Sequence, residues 1–267
     1  MSPEAVALRP GAAVERLGPP GGAMMFWPGP AEATPVLLLH GAACGAWVWA
    51  EGFAARLARG RACAALDFPR RPGASLADYA AAVRAALDVL GRPVLLVGHS
   101  LGALVAQRLL GDRRVAGAAL LAPVPPEGLW GANARLALRD PGLWTACMRM
   151  TDAPGGAPDG FARALFGAAM PREASRRHLR RLGGESLAVL WEAQLPQPVW
   201  PAWLLGKPAL ILAAAEDELV PLDMARRCAA WHGAPCEVRD GAGHLMMLDP
   251  GWAGVAERVA RWADQRG

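Results

Sequence analysis

Short apolar runs punctuate the chain at 36–39, 62–66, 94–97, 116–121 and 209–212, most of them bounded by glycine, proline or charged residues. Each is too short for a stable helix, and an unbroken apolar run of this length suits a strand buried on both faces. Between the runs the spacing changes to a helical period. Residues 76–90 form one such stretch, led by Ser75 with Asp78 three places on, a pairing that can cap a helix start. Residues 101–110 form another. Strands alternating with helices predict an α/β fold whose mostly parallel sheet is covered on both faces.

The pattern weakens at two places. The first 34 residues, rich in glycine and proline, predict only antiparallel edge strands near 6–8 and 24–27. From about Pro123 to Leu204 the strand signal disappears, and helix-like pieces at 161–170, 172–182 and 187–194 replace it. The chain therefore divides into a core, 1–122 and 205–267, and a helical insertion, 123–204. No fixed-period repeat competes with that division.

Composition narrows the class. With 267 residues, 53% hydrophobic and 19% charged, the chain can bury one substantial core carrying an insertion. The net charge of +4 is spread along the chain without an aromatic-interleaved basic motif, which argues against a nucleic-acid partner. The N-terminus has no basic start followed by an apolar stretch, and no apolar run approaches a membrane span of roughly 18 residues, so a cytoplasmic location is expected. Five cysteines, an odd number with no CxxC pair, predict reduced thiols rather than a disulfide framework or a zinc site.

The chemistry concentrates at Gly98-His99-Ser100-Leu101-Gly102, which lies directly between the run PVLLV and the helical pattern LGALVAQRLL. A sharp strand-to-helix turn exposes a serine hydroxyl, and glycines two places either side allow the close backbone approach. A serine hydroxyl is a weak nucleophile at neutral pH and needs a general base held by a third group. His244, on the Gly-flanked loop GAGHLMMLDP, is the candidate base, whereas His178 sits among arginines and His232 reads as part of a surface turn. For the acid, the run from 209 ends at Glu216-Asp217-Glu218; Asp217 is preferred, Glu216 and Glu218 are its alternatives, and Asp249 reads as a cap of the last helix. The negative charge that develops on a substrate carbonyl needs two backbone N–H donors. Leu101 follows the nucleophile, and Ala42 follows His40-Gly41 at the end of an earlier strand.

HGAACGAW at 40–47, GHSLG at 98–102, EDELVP at 216–221 and GAGH at 241–244, in the order nucleophile, acid, histidine, together resemble the α/β-hydrolase superfamily. Within it the HGxxxGAWxW run looks like the branch of small methyl esterases and hydroxynitrile lyases. The resemblance spans nearly all of 35–122 and 205–262 and implies the α/β-hydrolase fold, with 123–204 where that family carries its helical cap. It carries a nucleophile over to Ser100, an acid to Asp217, a base to His244 and oxyanion amides to Ala42 and Leu101. A lysine usually follows the histidine in the lyases, but Leu245, Met246 and Met247 stand here, which argues against lyase activity. A serine at position 100, where the dehalogenase and epoxide-hydrolase branches place an aspartate, argues against those chemistries.

The expected activity is hydrolysis of a carboxylic ester of an apolar or aromatic small molecule through an acyl-enzyme, with no metal or cofactor. The same three side chains could instead act on a thioester or a carbon–carbon bond, and a hydrolase-fold protein can also bind a ligand with little turnover. Trp130, Trp144, Met148 and Phe166 of the insertion, with Met246 beyond the histidine, are the candidate substrate-binding residues. The run 172–181 holds five arginines; it reads best as a solvated helix face, and otherwise as a seat for the phosphate of an acyl-carrier or coenzyme A thioester.

Overall fold

The structure, a computed structural model, describes residues 13–16, 22–148 and 159–266. Its sheet is built from β1 (Ala13–Arg16), β2 (Ala23–Trp27), β3 (Val36–Leu39), β4 (Cys63–Asp67), β5 (Val94–His99), β6 (Val115–Leu121), β7 (Ala209–Ala214) and β8 (Cys236–Arg239). Their spatial order is β1-β2-β4-β3-β5-β6-β7-β8. The β1–β2 and β2–β4 pairs are antiparallel and every other pair is parallel.

The central strands are apolar on both faces because both faces are covered. Leu37 and Leu39 point into one buried cluster with α3 (Leu76–Leu90), α4 (Leu101–Arg108) and α10 (Leu222–His232). Val36 and Leu38 point into another, with α1 (Trp47–Ala50), α2 (Phe53–Leu57) and α11 (Trp252–Asp264). Truncating one of these leucines to alanine removes buried methyls and leaves a cavity, a loss of about 3 kcal/mol. The start of α3 is the one its sequence predicts: Ser75 Oγ accepts the Asp78 N–H at 3.2 Å while Asp78 accepts the Ser75 N–H at 2.8 Å.

Between β6 and β7 run α5 (Trp130–Arg139), α6 (Pro141–Met148), α7 (Asp159–Leu165), α8 (Arg172–Leu179) and α9 (Leu187–Glu192), with no strand among the described residues. Phe161 and Leu165 of α7 pack onto the α11 side of the core, and Val189 of α9 onto the α3 side.

Several sequence expectations are corrected. The strand expected at 6–8 lies outside the described residues, and β1 at Ala13–Arg16 falls where the pattern predicts none. Edge strand β8, CEVR, is half-buried along its length and so carries no apolar run to announce it. His232 is not in a surface turn: it ends α10 fully buried, its Nδ1 accepting the Ala202 N–H at 3.2 Å and its Nε2 facing Gln107 Oε1 at 3.0 Å. Burial pushes that imidazole down to about 4.

The topology itself marks a place for chemistry. β3 is flanked by β4 on one side and β5 on the other, so the direction of winding reverses there, and open α/β sheets bind ligands beyond the C-terminal ends of strands at such a reversal. The turns after β3 and β5 are the ones carrying Ala42 and Ser100.

Candidate active site

Ser100 occupies the junction of β5 and α4 with φ 51° and ψ −115°, a conformation that an L-residue adopts only under constraint. The glycines around it are required by space. A Cβ at Gly98 would lie 2.5 Å from Ala103 Cα, and one at Gly102 would lie 2.4 Å from the carbonyl oxygens of both Leu39 and His40. Among the described residues, two other non-glycine residues have positive φ, Ala43 in the turn after β3 and Ala122 at the end of β6. All three lie at the C-terminal edge of neighbouring strands.

Three side chains form a continuous relay. Ser100 Oγ donates to His244 Nε2 at 2.9 Å, and His244 Nδ1 donates to Asp217 Oδ2 at 2.8 Å. The other Asp217 oxygen accepts the N–H groups of Leu219 and Val220 at 2.9 and 2.8 Å, which fixes the carboxylate just beyond β7. The two neighbouring acids point elsewhere: Glu216 accepts the Ala168 N–H, and Glu218 pairs with Arg139. Asp217 alone meets the histidine.

The loop that carries His244 is held from two sides. His99 Nε2 donates to the His244 carbonyl at 2.9 Å, and burial, with the nearby His244, keeps the His99 imidazole well below its ordinary range and therefore neutral. Asp249 does not cap α11 with its side chain. Its carboxylate lies buried and accepts the N–H of Gly243 at 2.7 Å and of Gly167 at 3.1 Å. Burial pushes that carboxyl up to about 6, against the pull of those two amides. A helix-cap reading from sequence missed this role because Gly167 is distant along the chain.

Next to Ser100, the amides of Ala42 and Leu101 donate no hydrogen bond among the described residues, whereas the adjacent Ala43 amide donates to Glu185 Oε2 at 3.0 Å and the Cys44 amide to the Gly41 carbonyl at 3.3 Å. His40 lies buried beneath this turn, its Nε2 accepting the Phe68 N–H at 3.1 Å. The Cys44 thiol stands in the wall, pushed up to about 12 by burial.

A cavity of about 110 Å³ opens onto Ser100 and His244. The core contributes Ala42, Cys44 and Val220 to it; the helical stretch contributes Leu129, Phe161, Leu165 and Leu190, with Asn133 and Gln194 as polar members. Outside it lies a groove of about 340 Å³ lined by Trp130, Trp144, Trp191 and Leu187, which shares Asn133, Leu190 and Gln194 with the inner cavity. The expected substrate residues are thus redistributed. Trp130 and Trp144 line the outer groove, Phe166 packs against the His178 ring, and Met246 is wholly buried in the core. The Met148 side chain lies outside the described residues. Residue type did not tell which face of each helix turns inward. In the arginine run, Arg177 and Arg181 face Glu51, and Arg181 also lies 4.2 Å over the Trp47 ring.

Among the described residues no cluster of three or more His, Cys, Asp or Glu is arranged to hold a metal ion, and no helix is long and apolar enough to cross a membrane.

A family model described as the alpha/beta hydrolase family matches residues 36–258. No curated protein matches the sequence. Among solved structures, the chain is similar to a malate-bound thermophilic esterase from Thermogutta terrifontis, with a TM-score of 0.73 at 21% identity over 95% of this chain and 99% of that one. Esterase RhEst1 from Rhodococcus sp. ECU1013 gives 0.73 at 22% identity, over 96% and 99%. Naproxen esterase (carboxylesterase NP) from Bacillus subtilis gives 0.71 at 19% identity, over 94% and 91%.

Proposed function

This chain belongs to the alpha/beta hydrolase family and has its fold, and from that premise we propose that it hydrolyses carboxylic esters of apolar or aromatic small molecules through an acyl-enzyme on Ser100. The observation that carries the reading is the relay from Ser100 through His244 to Asp217 beside two uncommitted amides. The apolar lining of the inner cavity supports an apolar acyl or aromatic group. Residues 123–148 and 159–204, the described part of the insertion, serve as the cap that closes this cavity over the sheet edge.

In this mechanism Ser100 Oγ attacks the ester carbonyl carbon while its proton passes to His244 Nε2. Asp217 stabilises the imidazolium through Nδ1 and holds the tautomer whose Nε2 can accept. The tetrahedral oxyanion is met by the N–H groups of Ala42 and Leu101, and the N-terminal end of α4 favours the same charge. Collapse expels the alcohol, which takes the proton from His244. Water, deprotonated by the same histidine, then attacks the acyl carbon and releases the acid and free Ser100.

The test is hydrolysis of p-nitrophenyl esters of graded acyl length by the wild type and by Ser100→Ala, with mass spectrometry after a serine-directed phosphonate. Turnover lost in the variant, with the label on Ser100, supports the mechanism. Folded wild-type protein with neither turnover nor label overturns it.

A further inference from the structure

Glu185 stands between α8 and α9, far in sequence from every residue of the proposed mechanism, and its side chain is buried. Both of its oxygens are engaged. Oε2 accepts the Ala43 N–H at 3.0 Å; Oε1 accepts the Ser186 N–H at 2.9 Å and the hydroxyl of Tyr79, which rises from α3. Two residues earlier, the Gly183 N–H donates to the Ala43 carbonyl at 2.8 Å. Ala43 is therefore gripped at both its amide and its carbonyl by one short stretch of the helical region, and it holds φ at 58°.

Ala43 adjoins Ala42, whose N–H is a proposed oxyanion donor. A carboxylate is a costly group to bury, and an apolar side chain of similar size would pack without that desolvation cost. What an apolar side chain cannot do is accept the Ala43 N–H. With that amide engaged, the turn keeps its positive φ, and Ala42 remains the free donor toward the cavity.

We propose that Glu185 is a positioning residue for ester hydrolysis: it sets the turn at Ala42–Ala43 so that the Ala42 amide meets the oxyanion, with Tyr79 holding the carboxylate from the core side. This rests on the esterase reading above. The cap thereby completes the oxyanion site as well as walling the cavity.

The experiment compares wild type, Glu185→Ala, Glu185→Gln and Tyr79→Phe on a short p-nitrophenyl ester. It also measures their affinity for a trifluoromethyl ketone, which forms an oxyanionic adduct with a serine nucleophile, and their melting temperatures. Glu185→Ala is expected to lower kcat about 30-fold with KM nearly unchanged, because an interaction made in the transition state is lost. Ketone affinity falls in parallel. Glu185→Gln keeps an acceptor for Ala43 and recovers most of kcat, while Tyr79→Phe leaves the Ala43 contact in place and gives a smaller loss, about threefold. Should Glu185→Ala fail to fold, Tyr79→Phe carries the test: a fall of about threefold in kcat with a parallel fall in ketone affinity at constant KM supports the assignment. Wild-type kcat and ketone affinity in folded Glu185→Ala, or in Tyr79→Phe where Glu185→Ala does not fold, overturn it while leaving the esterase reading intact, as does a loss confined to melting temperature or to KM. A wild type that neither hydrolyses esters nor takes the phosphonate overturns both.

Discussion

A methyl group added at Gly102, where α4 leaves the sheet edge, would lie 2.4 Å from two carbonyl oxygens; the same methyl at Gly131, near the start of α5, would meet nothing within 4 Å. The sheet edge and the helical stretch border one cavity under very different constraints. At the edge the backbone itself carries the proposed chemistry, so a few tenths of an ångström matter. In the stretch, side chains form a wall, and many apolar residues can do so. Where the stretch becomes equally exacting, it touches the edge: a Cβ at Gly167 would lie 2.2 Å from the Gly241 carbonyl oxygen, beside the loop of His244.

Substitutions can push on that contrast in order of size. Ser100→Ala should lower kcat by about 10⁵-fold or more with an unchanged melting temperature, measured on a short-chain ester. Asp217→Asn should lower it by about 10⁴-fold, since an amide no longer selects the histidine tautomer that accepts at Nε2. Gly102→Ala should cost about 3 kcal/mol of stability in urea melts, the edge having no room to yield. Comparable tolerance of alanine at 102 and 131 would remove the contrast.

Asp249 joins the two regions, and its effect depends on pH. Its carboxyl, raised to about 6 in the folded chain, holds a proton more tightly there than when unfolded near its ordinary value of about 4. The folded state therefore binds more protons in that window, and this contribution to stability fades as pH rises from about 4 through about 6. Asp249→Asn should flatten that slope in melts taken across the window; an unchanged slope would assign the pH dependence to other groups. The smallest effect belongs to Gly131→Ala, a gain of up to about 1 kcal/mol from lower backbone entropy in the unfolded chain and better helix propensity.

The same contrast governs what the sequence reveals. β3, β5 and β7 were readable because burial on both faces leaves an unbroken apolar run, and α3 because Ser75 and Asp78 spell out its cap. β8 was hidden by its half-exposed, charged register, and α10 by a mixed stretch that buries His232 only through its contacts with Ala202 and Gln107. At the site, Ser100 stood out through its glycines, whereas three adjacent acids competed for His244 until the loop after β7 turned one of them inward. Glu185 carried no local signal, since its partners Ala43 and Tyr79 lie 142 and 106 residues away. Trp130 looked like pocket lining by type, yet it is 65% exposed on the outer groove.

Ala43, Ser100 and Ala122 share a backbone region that glycine enters freely. Glycine at any of them would relieve local strain of order 1–3 kcal/mol, offset in part by the greater freedom it gives the unfolded chain. At 43 and 122 the exchange removes only a methyl, but at 100 it removes the hydroxyl. A sequence optimised on this backbone for durability alone would therefore discard Ser100 early, and a survey of where the chain resists its own relaxation would find the cavity mouth without reference to any motif.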